Sequence, residues 1–417
     1  MGLVELNFER EPGLKAHFAS NDPKHVLTQL ELVVGHPIDR NRTMLFLDEI
    51  QAFPDVLAKL RWFYEEVPEL AVVAAGSLLD FVLAEHSFSM PVGRISYYHI
   101  EPFSFEEYLV ASGKQLALEM LQSLTLGNIL EGEAIAGSIH DMLLQELQAY
   151  TLVGGLPEAL ATWLETQSFP SVSQVHQDLL ATYRDDFSKY AGRIDRERLE
   201  EVLLNVPRML GNKFKYSNVN RHVRSGSVKQ ALHLLVTARI VHKVFSSSAT
   251  GIPLGATVNP KLFKAIFLDC GLVSSALGLQ TLGLLPTSEL VLGNQGALAE
   301  QLVGQALRTQ FPGHTEPALF YWLREKKGAE SEVDYLVQNG TSLLPVEVKS
   351  GSTGRLKSLH MLIHDKQLPC AVRLNTDIPS LVRAESSVAG HPCQYDLLSL
   401  PLYMAGQISR LGLELGD

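Results

Sequence analysis

Cysteine is scarce. The 417 residues hold three, Cys270, Cys370 and Cys393, far apart and without metal-ligand spacing. That excludes a disulfide framework and fits a reducing compartment. Long apolar runs are missing too. The most apolar stretch, LAVVAAGSLLDFVLA (Leu70 to Ala84), falls short of the ~20 residues a membrane span needs and carries Asp80. The opening MGLVELNFER has neither a basic start nor a sustained apolar core, which excludes a signal peptide. Leu6 stands where a myristoylation signal needs Ser or Thr. The chain therefore reads as cytoplasmic, with no membrane partner. Excess positive charge is also lacking: the net charge is −11 and the pI 5.7. A nucleic-acid partner would need a local basic surface.

What is present is ordinary for a globular protein, 46% hydrophobic and 19% charged. The length allows about two to four domains. Over the first hundred residues, apolar strand-like runs alternate with helical spacing. LVELNFE, TMLFLDEI and LAVVAAGS read as strands, the last two as buried parallel ones. DPKHVLTQLELVVG and VLAKLRWFYEEVP read as helices, and ISYYHIEPFSFEEYL as a strand followed by a helix start. This is an α/β class with a mostly parallel sheet. Asp48 and Glu49 end their strand, where ligands bind in open α/β sheets. In an ATPase such an Asp helps hold Mg²⁺ and such a Glu polarises the attacking water, while Ser77, ending the next strand, would orient that water. The plainer alternative is that Asp-Glu caps the following helix.

LFLDEIQ, AAGSLLDF, PVGRISYYHIEPFSFEEYL and TLVGGLPEAL, in that order, resemble a prokaryotic AAA+ ATPase family whose members carry a C-terminal domain of unknown function with a nuclease-like fold. The resemblance runs from about Val4 to the end of the chain. It implies ATP and Mg²⁺ as cofactors, Asp48 and Glu49 as the second nucleotide motif, Ser77 as a sensor and Arg94 as a phosphate-facing arginine. The family's phosphate loop precedes the strand that LVELNFE resembles, and no Gly-x-x-x-x-Gly-Lys-Ser/Thr occurs in the 417 residues. The expectation is a chain that starts roughly 30–40 residues late, after the first strand and helix. The half-domain left behind would be poorly supported, with strands lacking a partner.

Residues 113–195 read as a helical lid and connector, broken at Gly154-Gly155. From Val202 to Leu268 there is no Asp or Glu, against ten Lys and Arg. The order helix, short helix, turn at RSGS, longer helix, strand and loop is a winged-helix plan, with SSSATG as the wing tip. Lys213, Lys215, Arg221, Arg224 and Lys229 would then contact DNA phosphates or base edges. The alternative is a docking module whose cations face acidic surfaces of this chain or of a partner protein.

After Leu284, a helix and a strand precede EVDYLVQ-NG-TSLLPVEVKS, a hairpin with an Asn-Gly turn. With Asn339-Gly340 as the loop, Gln338 faces Thr341 and Asp334 faces Pro345. Alternation then places Asp334, Glu347 and Lys349 on one face, with Asp334 and Glu347 about 7–8 Å apart on the diagonal. Val333, Tyr335, Val346 and Val348 would point into a core. Asp, hairpin, then Glu-x-Lys is the signature of PD-(D/E)xK nucleases, and Glu300 stands in the preceding helix where such folds often place another acid. Asp334 and Glu347 are candidate ligands for Mg²⁺ or Mn²⁺, with Lys349 stabilising charge in phosphodiester attack. A surface ion-pair cluster is the bland alternative, and Pro345 suggests an edge strand or a bulge. The domains expected are an AAA+ core without its phosphate loop (1–112), lid and connector (113–195), winged helix (196–284) and a PD-(D/E)xK nuclease-like α/β domain (285–417).

Overall fold

The computed structural model describes residues 2–76, 90–132, 135–190, 195–279, 289–326, 329–351, 355–388 and 390–416. Two compact units divide it, Met1–Tyr98 and His99–Asp417.

In the first unit, β1 (Gly2–Asn7), β2 (Thr43–Asp48) and β3 (Ala71–Ala74) form a parallel sheet in that order. Helix α1 (Pro23–Val34) starts at Asp22, whose carboxylate accepts the Lys24 and His25 N–H groups, and ends at Gly35 in the left-handed region. With α2 (Val56–Glu66) it covers the sheet. Phe8, Phe18, Leu30, Leu45, Leu47 and Ile50 are completely buried, so this unit closes a core of its own. The expected weakness shows only at β3. It has no strand on its outer side among the described residues, and Val73 is 40% exposed. The expected strand ISYYHI is not one: residues 95–104 form no ladder. A β-prone run becomes a strand only where a neighbour takes its backbone hydrogen bonds.

The second unit opens with α3 (Phe105–Ala111), fixed by a capping box between Ser104 and Glu107. Five helices follow: α4 (Gln115–Ser123), α5 (Leu126–Leu130), α6 (Gly137–Val153), α7 (Pro157–Thr166) and α8 (Phe169–Tyr190). The break between α6 and α7 is the Gly154-Gly155 pair. Gly154 has φ 75°, and a Cβ there would collide with the Asp269 carboxylate; one on Gly155 would collide with the Phe103 carbonyl. Asp269 is fully buried and accepts the N–H groups of Gly155 (2.7 Å), Gly271 (2.8 Å) and Leu272 (3.1 Å). TLVGGLPEAL is thus a packing joint on the N-cap of α12 (Cys270–Ala276).

Between them lie α9 (Arg196–Asn205), the short α10 (Tyr216–Val219) and α11 (Ser225–Thr237). The expected RSGS turn is instead the first turn of α11, with Arg224 at its N-cap position. Strands β4 (Val241–Ser247) and β5 (Val258–Phe267) form the hairpin read as a wing. They do not close a separate domain. β4 pairs in parallel with β6 (Leu319–Lys326), so the hairpin continues the sheet of β7 (Ala329–Asn339), β8 (Ser342–Val348), β9 (Cys370–Asn375), β10 (Ser380–Val388) and β11 (His391–Pro401). The order is β10-β11-β9-β8-β7-β6-β4-β5. The expected boundary near 284 therefore runs through one sheet. Helix α13 (Glu289–Thr309) packs on it, Ala299, Leu302 and Val303 sharing a core with Tyr335, Val346 and Val348. Helices α14 (Lys357–Lys366) and α15 (Ile408–Gly416) complete the unit. Among the described residues no helix is long and apolar enough to cross a membrane.

Candidate functional site

The hairpin register differs from expectation by two residues. Gln338 pairs with Leu343 and Asn339 with Ser342, so Gly340 and Thr341 form the loop, with Gly340 at φ 59°. An even shift preserves the parity on which the sequence argument rests, and it moves Asp334 from opposite Pro345 to level with Glu347. The ladder stops one step short, at Tyr335–Val346. Beyond it the Asp334 carboxylate itself takes the Val348 N–H (2.8 Å). β7 is also bulged against β6: Trp322 pairs with Val333 but Phe320 with Leu336, so Asp334 and Tyr335 both oppose Tyr321. Val333 therefore joins the core of Trp322 and Leu336, not that of Tyr335, Val346 and Val348 as expected. Pro345 lies in an interior strand. Pairing of β8 with β9 begins only at Val346, so the proline removes no donor from that ladder.

Glu300 and Asp334 meet at a residue the sequence reading did not single out, whereas Glu347 and Lys349 pair with each other. Lys264, on β5 and only 3% exposed, places its ammonium 2.8 Å from Glu300 Oε2 and 3.5 Å from Asp334 Oδ1, and in contact with Glu332. It also lies 5.4 Å from the Tyr321 ring centre. Burial works against its charge, yet Glu300, Asp334 and Glu332 hold it protonated, well above the usual lysine range. The other lysine, Lys349, pairs with Glu347 Oε1 at 2.6 Å. Glu347 is 5% exposed, and its Oε2 is buried with no hydrogen-bond partner.

Burial and then the Asp334 charge push the Glu300 carboxyl up to about 8 and the Glu347 carboxyl up to about 7. Burial also raises Glu332, against the pull of Lys264. The cluster is thus protonated or ion-paired within itself. Among the described residues no group of three or more His, Cys, Asp or Glu is arranged to hold a metal ion. The expected ligands Asp334 and Glu347 meet different cations, Asp334 the Lys264 ammonium (3.5 Å) and Glu347 that of Lys349 (2.6 Å). Lys264 could have been suspected from LFKAIF, where a lysine interrupts a buried strand. Glu332 could have been suspected from its place two residues before Asp334.

In the first unit, Asp48 ends β2 and its Oδ2 accepts a hydrogen bond from Asn7 Nδ2 (2.7 Å). Glu49 follows at φ 52°, a left-handed backbone that turns its side chain onto the Gln51 amide. Ser77 lies outside the described residues. Arg94 is bound by Glu65, whose carboxyl it holds below the usual range together with Arg61, and it also donates to the Val92 carbonyl (3.0 Å).

Arg208 and Lys261 of the basic stretch are exposed with no acidic partner among the described residues, and the other eight cations fall into two groups. Lys213 pairs with Glu325, Arg239 with Glu316 (3.6 Å) and Lys264 with the carboxylate cluster; Lys243 lies 4.9 Å from the Phe263 ring centre. Lys215, Arg221, Arg224 and Lys229 are exposed and take no acidic partner among the described residues. They follow one another through α10, its exit and the start of α11. The opposite side of α11, Val228, Ala231, Leu232 and Leu235, is buried.

Three family models match the chain. One described as an AAA domain matches residues 3–109, and two described as domains of unknown function, DUF8612 and DUF4143, match 144–283 and 295–379. The chain thus combines an AAA-type N-terminal region with two domains of unknown function. Neither the curated proteins nor the solved structures gives a match.

Proposed function

We propose that this chain is an AAA-type, ATPase-like protein that acts on DNA, with Lys215, Arg221, Arg224 and Lys229 as its DNA-facing strip. In this reading the nuclease-like carboxylate cluster supports binding and does not cut. The AAA match over 3–109 and the placement of Asp48 and Glu49 at a strand end support the nucleotide side. The family match implies ATP and Mg²⁺ as cofactors, although the 417 residues hold no phosphate loop to grip the nucleotide. Asp48 would hold the ion, which offsets phosphate charge when bound.

One observation carries the DNA side. In a chain of net charge −11, four neighbouring cations stay exposed with no acidic partner among the described residues, while Lys213, Lys264 and Arg239 find carboxylates inside the same unit. Docking within the chain would have neutralised all of them. A phosphate backbone supplies the missing counter-charge. Fluorescence anisotropy with a labelled duplex tests this. Binding should weaken as salt rises, and Arg221, Arg224 and Lys229 changed together to Ala should flatten the log–log salt slope by about 0.9 for each phosphate no longer neutralised. No binding at low salt would assign the strip to an acidic partner protein.

A further inference from the structure

We infer that the outer edge of β10 is a self-association surface, where two copies of this chain join as an antiparallel pair about a two-fold axis at Ala384. The DNA reading neither requires this surface nor supplies it.

β10 ends the eight-stranded sheet and pairs on one side only, with β11. In an antiparallel ladder every second residue of an edge strand turns its N–H and C=O away from its neighbour. Helices α5 and α14 pack near β10, yet among the described residues no hydrogen bond from outside the β10–β11 ladder ends on its main chain. Edges are usually protected by shortness, proline, lysine, a bulge or a cover. β10 runs for nine residues, SLVRAESSV, without proline or lysine, and its register with β11 is unbroken. The opposite edge of the sheet is treated differently. Phe214 donates its N–H to the Phe263 carbonyl of β5 (2.8 Å), and Lys213 bridges to Lys264. A strand pairing with its own copy about a two-fold axis closes at two chains, whereas β10 against β5 would grow without end.

The sequence of β10 selects a second copy as the occupant. Full antiparallel overlap of two Ser380–Val388 strands pairs residues that are symmetric about Ala384. Arg383 then lies opposite Glu385 of the second copy, and Glu385 opposite its Arg383. Directly opposed residues share a face of the sheet, where opposite charges are favourable and like charges are not. A slip of two residues in either direction would oppose Arg383 to Arg383 or Glu385 to Glu385, so the charges fix this register. Both side chains are exposed. Each has one partner across the ladder: Arg383 Nη1 donates to Asp396 Oδ1 (2.9 Å), and Gln394 donates to Glu385 Oε1 (3.0 Å). A guanidinium has five donors, enough for Asp396 and a second carboxylate. Charge would therefore alternate across the joint, from Asp396 to Arg383 to the second copy's Glu385. Ala384 and Ser386 are small enough for two strands to approach, and Val382, 50% exposed, would lie against Ser386 of the second copy.

Sedimentation velocity of the full-length chain over a micromolar to submillimolar series, without nucleic acid, tests this. The wild type should pass from monomer to dimer. Arg383→Glu alone, or Glu385→Arg alone, opposes like charges and should weaken the dimer by about tenfold or more. Mixed one to one, the two variants should dimerise like the wild type, because an acidic strand then faces a basic one. Mixing cannot repair a lost Asp396 pair or a damaged hairpin, so the rescue separates pairing from folding. A wild type that stays monomeric overturns the inference. So do single variants that dimerise like the wild type, a mixture that stays monomeric, or assembly beyond a dimer.

Discussion

Two charged regions of the C-terminal unit show opposite ways of handling charge. Around buried Lys264, the half-buried carboxylates of Glu300, Glu332 and Asp334 answer one ammonium, and Lys349 answers buried Glu347. Along α10 and α11, four cations face solvent and meet no acid among the described residues. The first arrangement acts on folding, because removing one partner strands the others in a low-dielectric interior. The second contributes little to folding and remains available to a partner. Charge that is satisfied inside reports on stability; charge left open reports on binding.

The largest effect expected is on the buried side. Lys264→Ala should cost about 3–5 kcal/mol in urea unfolding, whereas Lys229→Ala should stay within about 0.5 kcal/mol of the wild type. Comparable losses from both would break the comparison.

The pH dependence should be next in size. Glu347 and Glu300 have folded-state values of about 7 and about 8 against an ordinary 4.5, so the folded state holds their protons longer than the unfolded one. Their contribution is fully present below about pH 4.5 and is lost as pH rises through about 7–8. Melting temperatures at pH 6 and 9 should fall less for Glu347→Gln than for the wild type; parallel falls would contradict the assignment.

A smaller effect is expected in the first unit. With no phosphate loop in its 417 residues, this chain should show no micromolar ATP binding by calorimetry in Mg²⁺, and Asp48→Ala should change little. Micromolar binding that depends on Asp48 would show that the phosphates are gripped in another way.

Much of the fold was legible because it is local. β1, β2, α1 and α2 follow from periodicity and caps, and α9 to α11 from the spacing of Leu and Val around the basic residues. Elements that depend on distant neighbours were not. ISYYHI has strand composition but no ladder, and β3 is half exposed because it ends the sheet. The β4–β5 hairpin reads as a wing until β6 pairs with it. Three acids of the cluster could be placed on one hairpin, and a register error of two kept the parity, but the bulge at Asp334 and Tyr335 breaks the alternation on which their shared face was argued. The bulge at Asp334 and Tyr335 and the arrival of Lys264 from β5 are long-range facts. In the sequence Lys264 is one of ten cations in an acid-free stretch, and only the fold separates it from those that stay open.

Hydrogen exchange of the full-length chain, with and without a saturating duplex at low salt, tests the central claim most directly. The account predicts added protection over residues 215–237, reversed by salt and abolished when Arg221, Arg224 and Lys229 are Ala, with β7 and β8 unchanged. Protection confined to other segments, or none while the duplex is bound, would contradict it.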